Sequence, residues 1–262
     1  MSATLGLIVP DDGPLDYELY RLGPWLESVG VDLVVEVEDS PTPGVPVSDD
    51  TQLLDKVLRT TGGDDALHPA ARKLAERGCK AIVWACTSGS FVGGHRWARD
   101  QANRIRGVTD LPASSTTLAI VESLAALDCT EIDLLSTYPA FVTSRLVETL
   151  AQADITVVDT VNIECDPGDG IAVYANFVIE LDLMDALSSF PGNTVSTRPI
   201  LIPNTSMNTL ALVERMESVT GRTVVTANQA SLWQGLRMVR AAQTPTGAGS
   251  LFELTSPRTF NA

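Results

Sequence analysis

Ala81-Ile82-Val83-Trp84-Ala85-Cys86-Thr87-Ser88-Gly89-Ser90-Phe91-Val92-Gly93-Gly94 is an apolar run that stops at a thiol, two hydroxyls and, a few residues on, three glycines. A short apolar run closed by small polar residues reads as a buried parallel strand, and open α/β sheets bind ligands beyond the carboxyl ends of such strands. Cys86 would stand at that edge. Thr87 and Ser88 supply hydroxyls, and Gly89, Gly93 and Gly94 let the backbone approach a bound group. Hydrogen-bond donors around a thiol favour the thiolate, the form that attacks carbon or takes up a proton. The thiol alone is equally compatible with a buried structural cysteine.

Outward from this stretch, strands alternate with helices. Leu5–Pro10 reads as the first strand, followed by the turn cluster Asp11-Asp12-Gly13-Pro14, and Val31–Val37 as the second. A helix is predicted between them over 15–28, and others over 51–58, 69–77, 95–106, 118–127 and 139–151. Further strands are expected at 111–115, 132–136 and 156–160. Ser40-Pro41-Thr42-Pro43-Gly44-Val45-Pro46 reads as a lid or edge loop.

The order repeats. Cys86-Thr87-Ser88 after Ile82-Val83-Trp84-Ala85 has a counterpart in Asn204-Thr205-Ser206 after Ile200-Leu201-Ile202-Pro203, and Pro112–Leu118 has an echo in Val225–Leu232. The expected fold is therefore α/β: two pseudo-symmetric Rossmann-like lobes with four-stranded, mostly parallel sheets. Lobe one is expected over 1–116, closed by 239–262, and lobe two over 117–238. Cys86 and Asn204 would then face each other across the interlobe cleft.

The chain of 262 residues is 44% hydrophobic and 19% charged, enough apolar sequence for a sizeable core. Its net charge of −15 leaves no basic stripe for nucleic acid or an anionic membrane surface. The first apolar run is too short for a signal h-region and no run reaches membrane-spanning length, so a cytoplasmic location is expected. Four cysteines without a C-x-x-C pair, and two histidines, offer no recognisable metal set.

Several segments together resemble one family across nearly the whole chain. They are Ile8-Val9-Pro10, Ala85–Gly94, Ser136-Thr137-Tyr138, Thr226-Ala227-Asn228-Gln229 with Trp233, and Gly247–Phe252. The chain resembles the aspartate/glutamate racemase superfamily, in the branch of maleate isomerases, arylmalonate decarboxylases and ectoine-utilisation isomerase-like proteins. The resemblance implies a cofactor-free active site between two lobes, catalysis by cysteine at one or both pseudo-symmetric positions, a small carboxylate substrate and a possible homodimer. It also implies that Tyr138 contacts a substrate carboxylate and that Asp12 and Gly13 lie in a substrate-side loop. Thr87, Ser88, Thr205 and Ser206 would complete the substrate contacts. Maleate isomerases are similar at Cys86 but carry a second cysteine where this chain has Asn204; arylmalonate decarboxylases keep only that second one.

An amide exchanges no protons at neutral pH, which disfavours a two-thiol racemase. Three readings follow. Cys86 is the nucleophile of a maleate-type cis-trans isomerase, or the proton donor of a malonate-type decarboxylase, or part of a binding protein that has lost catalysis. In the first two, Asn204 donates a hydrogen bond to a carboxylate or enediolate. His68 and His95 read as surface or helix-start residues, Glu36, Glu38 and Asp39 as a solvated face, and Cys79 and Cys129 as structural. Cys165, in an acidic loop, is a rival thiol whose neighbours would raise its pKa.

Overall fold

The computed structural model describes residues 3–10, 18, 22–38, 51–163, 180–191 and 195–254. The Asp11-Asp12-Gly13 turn, Asp39, the proline-rich segment 40–46 and Cys165 lie outside the described residues.

Two four-stranded sheets form, and every pairing in them is parallel. The first contains β1 (Ala3–Val9), β2 (Val31–Val37), β3 (Ala81–Trp84) and β4 (Ala113–Ser115) in the order β2-β1-β3-β4. The second contains β5 (Glu131–Ser136), β6 (Thr156–Asn162), β7 (Ile200–Ile202) and β8 (Val224–Thr226) in the order β6-β5-β7-β8. The two orders are the same pattern, so β3 and β7 hold equivalent interior places. All four residues of β3 and all three of β7 are buried, which explains why they read as unbroken apolar runs rather than alternating ones.

The helices between strands are α1 (Gly23–Glu27), α2 (Thr51–Thr61), α3 (Asp64–Glu76), α4 (Thr87–Phe91), α5 (Gly94–Thr109) and α6 (Thr116–Ala126). The second half adds α7 (Ala140–Ala151), α8 (Glu180–Ser188), α9 (Val213–Thr220) and α10 (Ala227–Met238). The helix expected to begin at Pro69 begins instead at Asp64, with Pro69 inside it. Asp64 and Asp65 occupy its first turn, where carboxylates suit the helix dipole, and Ala66, Leu67, Ala70, Ala71 and Leu74 form one buried face. Burial of that face outweighs the hydrogen bond lost at the proline.

The lobes exchange helices. Leu232, Trp233 and Leu236 of α10, which follows β8, pack with Leu5, Leu7, Val9, Ala81 and Val83 of the first sheet. Gly235 makes the close approach possible, since a Cβ there would lie 2.6 Å from Leu5 Cδ2. Conversely Ala119, Ile120 and Leu124 of α6, which follows β4, pack with Ile132, Leu134, Leu201 and Val225 of the second sheet. Thr116 Oγ1 meets Ser231 Oγ at 2.8 Å where the two helices begin to run together. Ala248, Leu251 and Phe252 return to the first-sheet core.

At the amino ends of the second sheet's strands, Asp133 on β5 is fully buried between two arginines. Arg222, also fully buried, donates to Asp133 Oδ2 at 2.5 Å, to the Arg198 carbonyl at 2.8 Å and to the Pro191 carbonyl at 3.1 Å. Arg198 Nε donates to Asp133 Oδ1 at 2.9 Å. Removing one partner strands buried charge, so Arg222→Ala should lower the unfolding free energy by about 3–5 kcal/mol. Arg215→Ala, which breaks an exposed pair with Glu180, should cost less than about 1 kcal/mol in the same urea titration.

Candidate active site

Cys86 lies two residues beyond β3, in extended conformation (φ −140°, ψ 121°), as the residue that caps α4. Asn204 lies two residues beyond β7, so the thiol and the amide occupy equivalent positions on the two sheets. Cys86 is 5% exposed and Asn204 3%. Both are buried polar groups held by structure rather than by solvent.

The first turn of α4 is pinned from below. Ser90 Oγ donates to the Thr87 carbonyl at 2.8 Å and meets Thr117 Oγ1 at 2.6 Å. The Gly89 carbonyl accepts from Trp97 Nε1 at 3.0 Å and Gln101 Nε2 at 3.1 Å. Ser88 Oγ stands 4.0 Å from Cys86 Sγ. Thr87 Oγ1 is fully buried with no hydrogen-bond partner among the described residues. A buried hydroxyl without a partner costs on the order of 1–3 kcal/mol, which a bound acceptor would recover.

The glycines divide by role. A Cβ on Gly89 would sit 3.2 Å from Cys86 Sγ and 3.3 Å from the Trp84 ring, so this glycine gives the sulfur its space. Gly93 and Gly94, expected to admit a ligand, instead face protein: a Cβ would strike the Trp97 side chain or Gln152 Oε1.

On the second lobe, Asn204 Nδ2 donates to Thr137 Oγ1 at 3.0 Å and Asn204 Oδ1 accepts from the Ser206 N–H at 3.0 Å. The backbone donor fixes which end of the amide is oxygen and leaves one Nδ2 hydrogen for another acceptor. Tyr138 is buried, its hydroxyl donates to the Pro203 carbonyl at 3.3 Å, and its ring meets Phe91 edge-on at 5.9 Å between centroids. Phe91 ends α4, so this aromatic pair joins the helix behind Cys86 to the residue before Asn204. Ser206 is buried, and Thr205 is partly buried with its carbonyl accepting from Asn228 Nδ2 at 2.9 Å.

Glu18 was not visible as a site residue in the sequence. It is buried, and its two carboxylate oxygens accept from the Leu210 N–H at 2.5 Å and from Asn228 Nδ2 at 2.6 Å. Burial pushes its pKa up from 4.5 to about 7, against the opposing pull of those hydrogen bonds. Nothing in the 15–28 segment distinguishes this glutamate from a solvated one, because its partners are some 190 and 210 residues away in the chain.

None of Cys79, Cys86 and Cys129 is in a disulfide. Burial raises the Cys79 thiol pKa, and burial and then Asp128 raise that of Cys129. His95, in the first turn of α5, has its pKa lowered first by burial and then by Arg99. His68 stands inside α3, 3.5 Å from Asp64. Glu36 is paired with Arg77 and Lys73, and Glu38 is buried, not part of a solvated face. Among the described residues, no group of three or more histidine, cysteine and carboxylate side chains is placed to hold a metal ion. No helix among them is long and apolar enough to cross a membrane.

Paired four-stranded parallel sheets of identical order match the fold of maleate isomerase and arylmalonate decarboxylase structures, members of the Asp/Glu racemase-like superfamily. Within it the chain belongs to the arylmalonate decarboxylase family, whose model matches residues 59–252. The fold is shared with the maleate isomerase Iso from Pseudomonas putida S16, at 20% identity and TM-score 0.81 over 96% of this chain and 98% of that one. It is shared with unliganded arylmalonate decarboxylase at 21% identity and TM-score 0.71, over 96% and 99%. A cysteine-to-serine mutant of Nocardia farcinica maleate cis-trans isomerase, with a covalently bound succinylcysteine intermediate, matches at 22% identity and TM-score 0.77 over 98% and 100%. No curated protein sequence matches the chain.

Two measurements check this geometry. Brief iodoacetamide treatment followed by peptide mapping should label Cys86 ahead of Cys79 and Cys129, whose thiol pKa values burial raises, and Gly89→Ala should slow labelling at Cys86. Equal labelling of all three would contradict it. For Glu18, the folded pKa lies above the unfolded one, so its contribution to stability is fully present below about pH 4.5 and is lost as pH rises through about 7. Glu18→Gln should therefore flatten the fall in melting temperature across that window.

Proposed function

We propose that this protein is a cofactor-independent isomerase of a small carboxylate or dicarboxylate, of the maleate cis-trans type, with Cys86 as its nucleophile. The observation that carries the reading is the asymmetry of the two matching positions: a thiol beyond β3 and a fixed amide beyond β7. Addition and elimination at a double bond need one nucleophile and no net proton transfer to carbon, so a single thiol suffices.

In this reading the Cys86 thiolate attacks one alkene carbon of a cis-enedioate, and the π electrons move onto the adjacent carboxylate as an enediolate. The former double bond is then single and rotates. Return of the electrons re-forms the alkene in the trans arrangement and expels the thiolate. Thr87 and Ser88 hydroxyls hold one carboxylate beside the sulfur, and the remaining Asn204 Nδ2 hydrogen and the Ser206 hydroxyl hold the other. The thiol addition recorded on the Nocardia farcinica enzyme supports this chemistry on the same fold. Tyr138, whose hydroxyl donates to the Pro203 carbonyl at 3.3 Å, keeps the Asn204 strand end in place.

The family match itself favours a second reading, decarboxylation of a malonate-type acid with Cys86 delivering one proton to the enediolate. Product analysis separates the two. Maleate incubated with the native protein should give fumarate without release of carbon dioxide, and Cys86→Ser should reduce turnover to the uncatalysed background. Release of carbon dioxide from a malonate with single-face deuteration in deuterated water would replace the isomerase by the decarboxylase. Asn204→Cys should leave an isomerase as fast or faster, whereas a decarboxylase with thiols on both faces should lose enantiopurity.

A further inference from the structure

Glu18 is a buried carboxylate in the crossover between β1 and β2, yet its hydrogen-bond partners Asn228, Leu210 and Thr209 all lie beyond β7 in the chain. One oxygen accepts the Leu210 N–H at 2.5 Å; the other accepts Asn228 Nδ2 at 2.6 Å. The same Nδ2 lies 2.9 Å from the Thr205 carbonyl and 3.4 Å from the Met207 carbonyl, so its two hydrogens are shared between Glu18 and the segment that begins at Asn204. Asn228 is itself fixed at the start of α10, where the Thr226 N–H donates to Gln229 Oε1 at 3.0 Å to form a capping box. The segment 204–210 contains no regular element before the 3-10 turn at Leu210–Leu212. The Glu18–Asn228 contact adds a polar tie to a segment that is also anchored by Met207 in the core of the second sheet and by Leu210 in the core of the first.

We propose that Glu18 is a positioning residue of the candidate active site: through Asn228 and the Leu210 N–H it holds the Asn204-Thr205-Ser206 segment against the first lobe, and so sets where the second carboxylate of the substrate binds. The proposal rests on the reading of Asn204 and Ser206 as carboxylate donors. A carboxylate is suited to this place because it offers two acceptor oxygens to the Asn228 amide and the Leu210 and Thr209 backbone donors; an amide offers one acceptor oxygen, and alanine none. Burial makes the arrangement intolerant of substitution, since each donor left behind lies out of reach of water. Because a loosened donor segment weakens substrate binding in ground state and transition state alike, the loss falls on KM rather than on kcat.

The test compares the native protein with Glu18→Gln and Glu18→Ala. Amide hydrogen exchange of the 204–210 segment, read by mass spectrometry, should accelerate by at least about tenfold in Glu18→Ala and by less in Glu18→Gln, while β5 and β7 remain protected. With maleate as substrate, KM should rise by at least about tenfold in Glu18→Ala, kcat should change by less than about threefold, and Glu18→Gln should fall between. Cys86 alkylation should be unchanged. If neither Glu18 variant folds, Asn228→Ala breaks the same tie from the other side and should produce the same local acceleration. Unchanged exchange in 204–210, acceleration spread across the second lobe, or a fall in kcat with KM unchanged would each overturn the proposal. If the native protein leaves maleate unchanged, the isomerase reading fails on that result, and the exchange comparison alone decides the tie.

Discussion

The crossing of α6 and α10 is the constraint on which the rest of the structure depends. Each helix leaves the last strand of one sheet and buries its apolar face on the other, so neither sheet is covered by its own chain segment alone. Thr116 and Ser231 meet where the helices cross, and Thr116 Oγ1 also reaches the Trp84 carbonyl at 3.4 Å, beside Cys86. With the sheets locked together through these helices, the carboxyl ends of β3 and β7 have a fixed relation. Pre-set geometry of this kind is what the proposed cofactor-independent isomerase would need, because it would lower the barrier by the placement of groups and their electrostatics.

The site then follows from what each sheet presents. Cys86 receives a short capped helix, a glycine that leaves room for sulfur and an unpartnered threonine hydroxyl. Asn204 is hydrogen-bonded at both ends of its amide, donating from Nδ2 and accepting at Oδ1. One half of the pair can act as a nucleophile and the other can only donate or accept hydrogen bonds. The proposed division of labour rests on these two unlike residues at matching places on a duplicated frame, where a two-thiol racemase would need acid/base groups on both faces.

Much of this frame was legible in the sequence. β2 was expected at 31–37 and forms there, and the expected apolar runs around 82–85 and 200–203 are the interior strands, because burial on both faces leaves an unbroken apolar signature. The repeat of Cys86-Thr87-Ser88 in Asn204-Thr205-Ser206 located the matching strand ends. Three things were not legible. Pro69 resembled a helix start, and only the buried face around it shows that the helix begins at Asp64. Gly93 and Gly94 resembled ligand-facing glycines, although Trp97, four residues after Gly93, and the distant Gln152 occupy that space. Glu18 resembled any charge on an amphipathic helix, since its role is set by contacts across the whole length of the chain. Local pattern reports the period of burial; it carries no information on which distant side chain completes a polar cluster.

The central claim is that the Cys86 sulfur forms a bond to a substrate carbon. The most direct measurement is peptide mapping by mass spectrometry after rapid acid quenching of the native protein mixed with maleate. The account predicts a succinyl adduct on the peptide that contains Cys86 and on no other cysteine-containing peptide, absent from the Asn204-containing segment and lost in Cys86→Ser. Fumarate formed under the same conditions by Cys86→Ser at the native rate, or an adduct on Cys165 with none on Cys86, would contradict it.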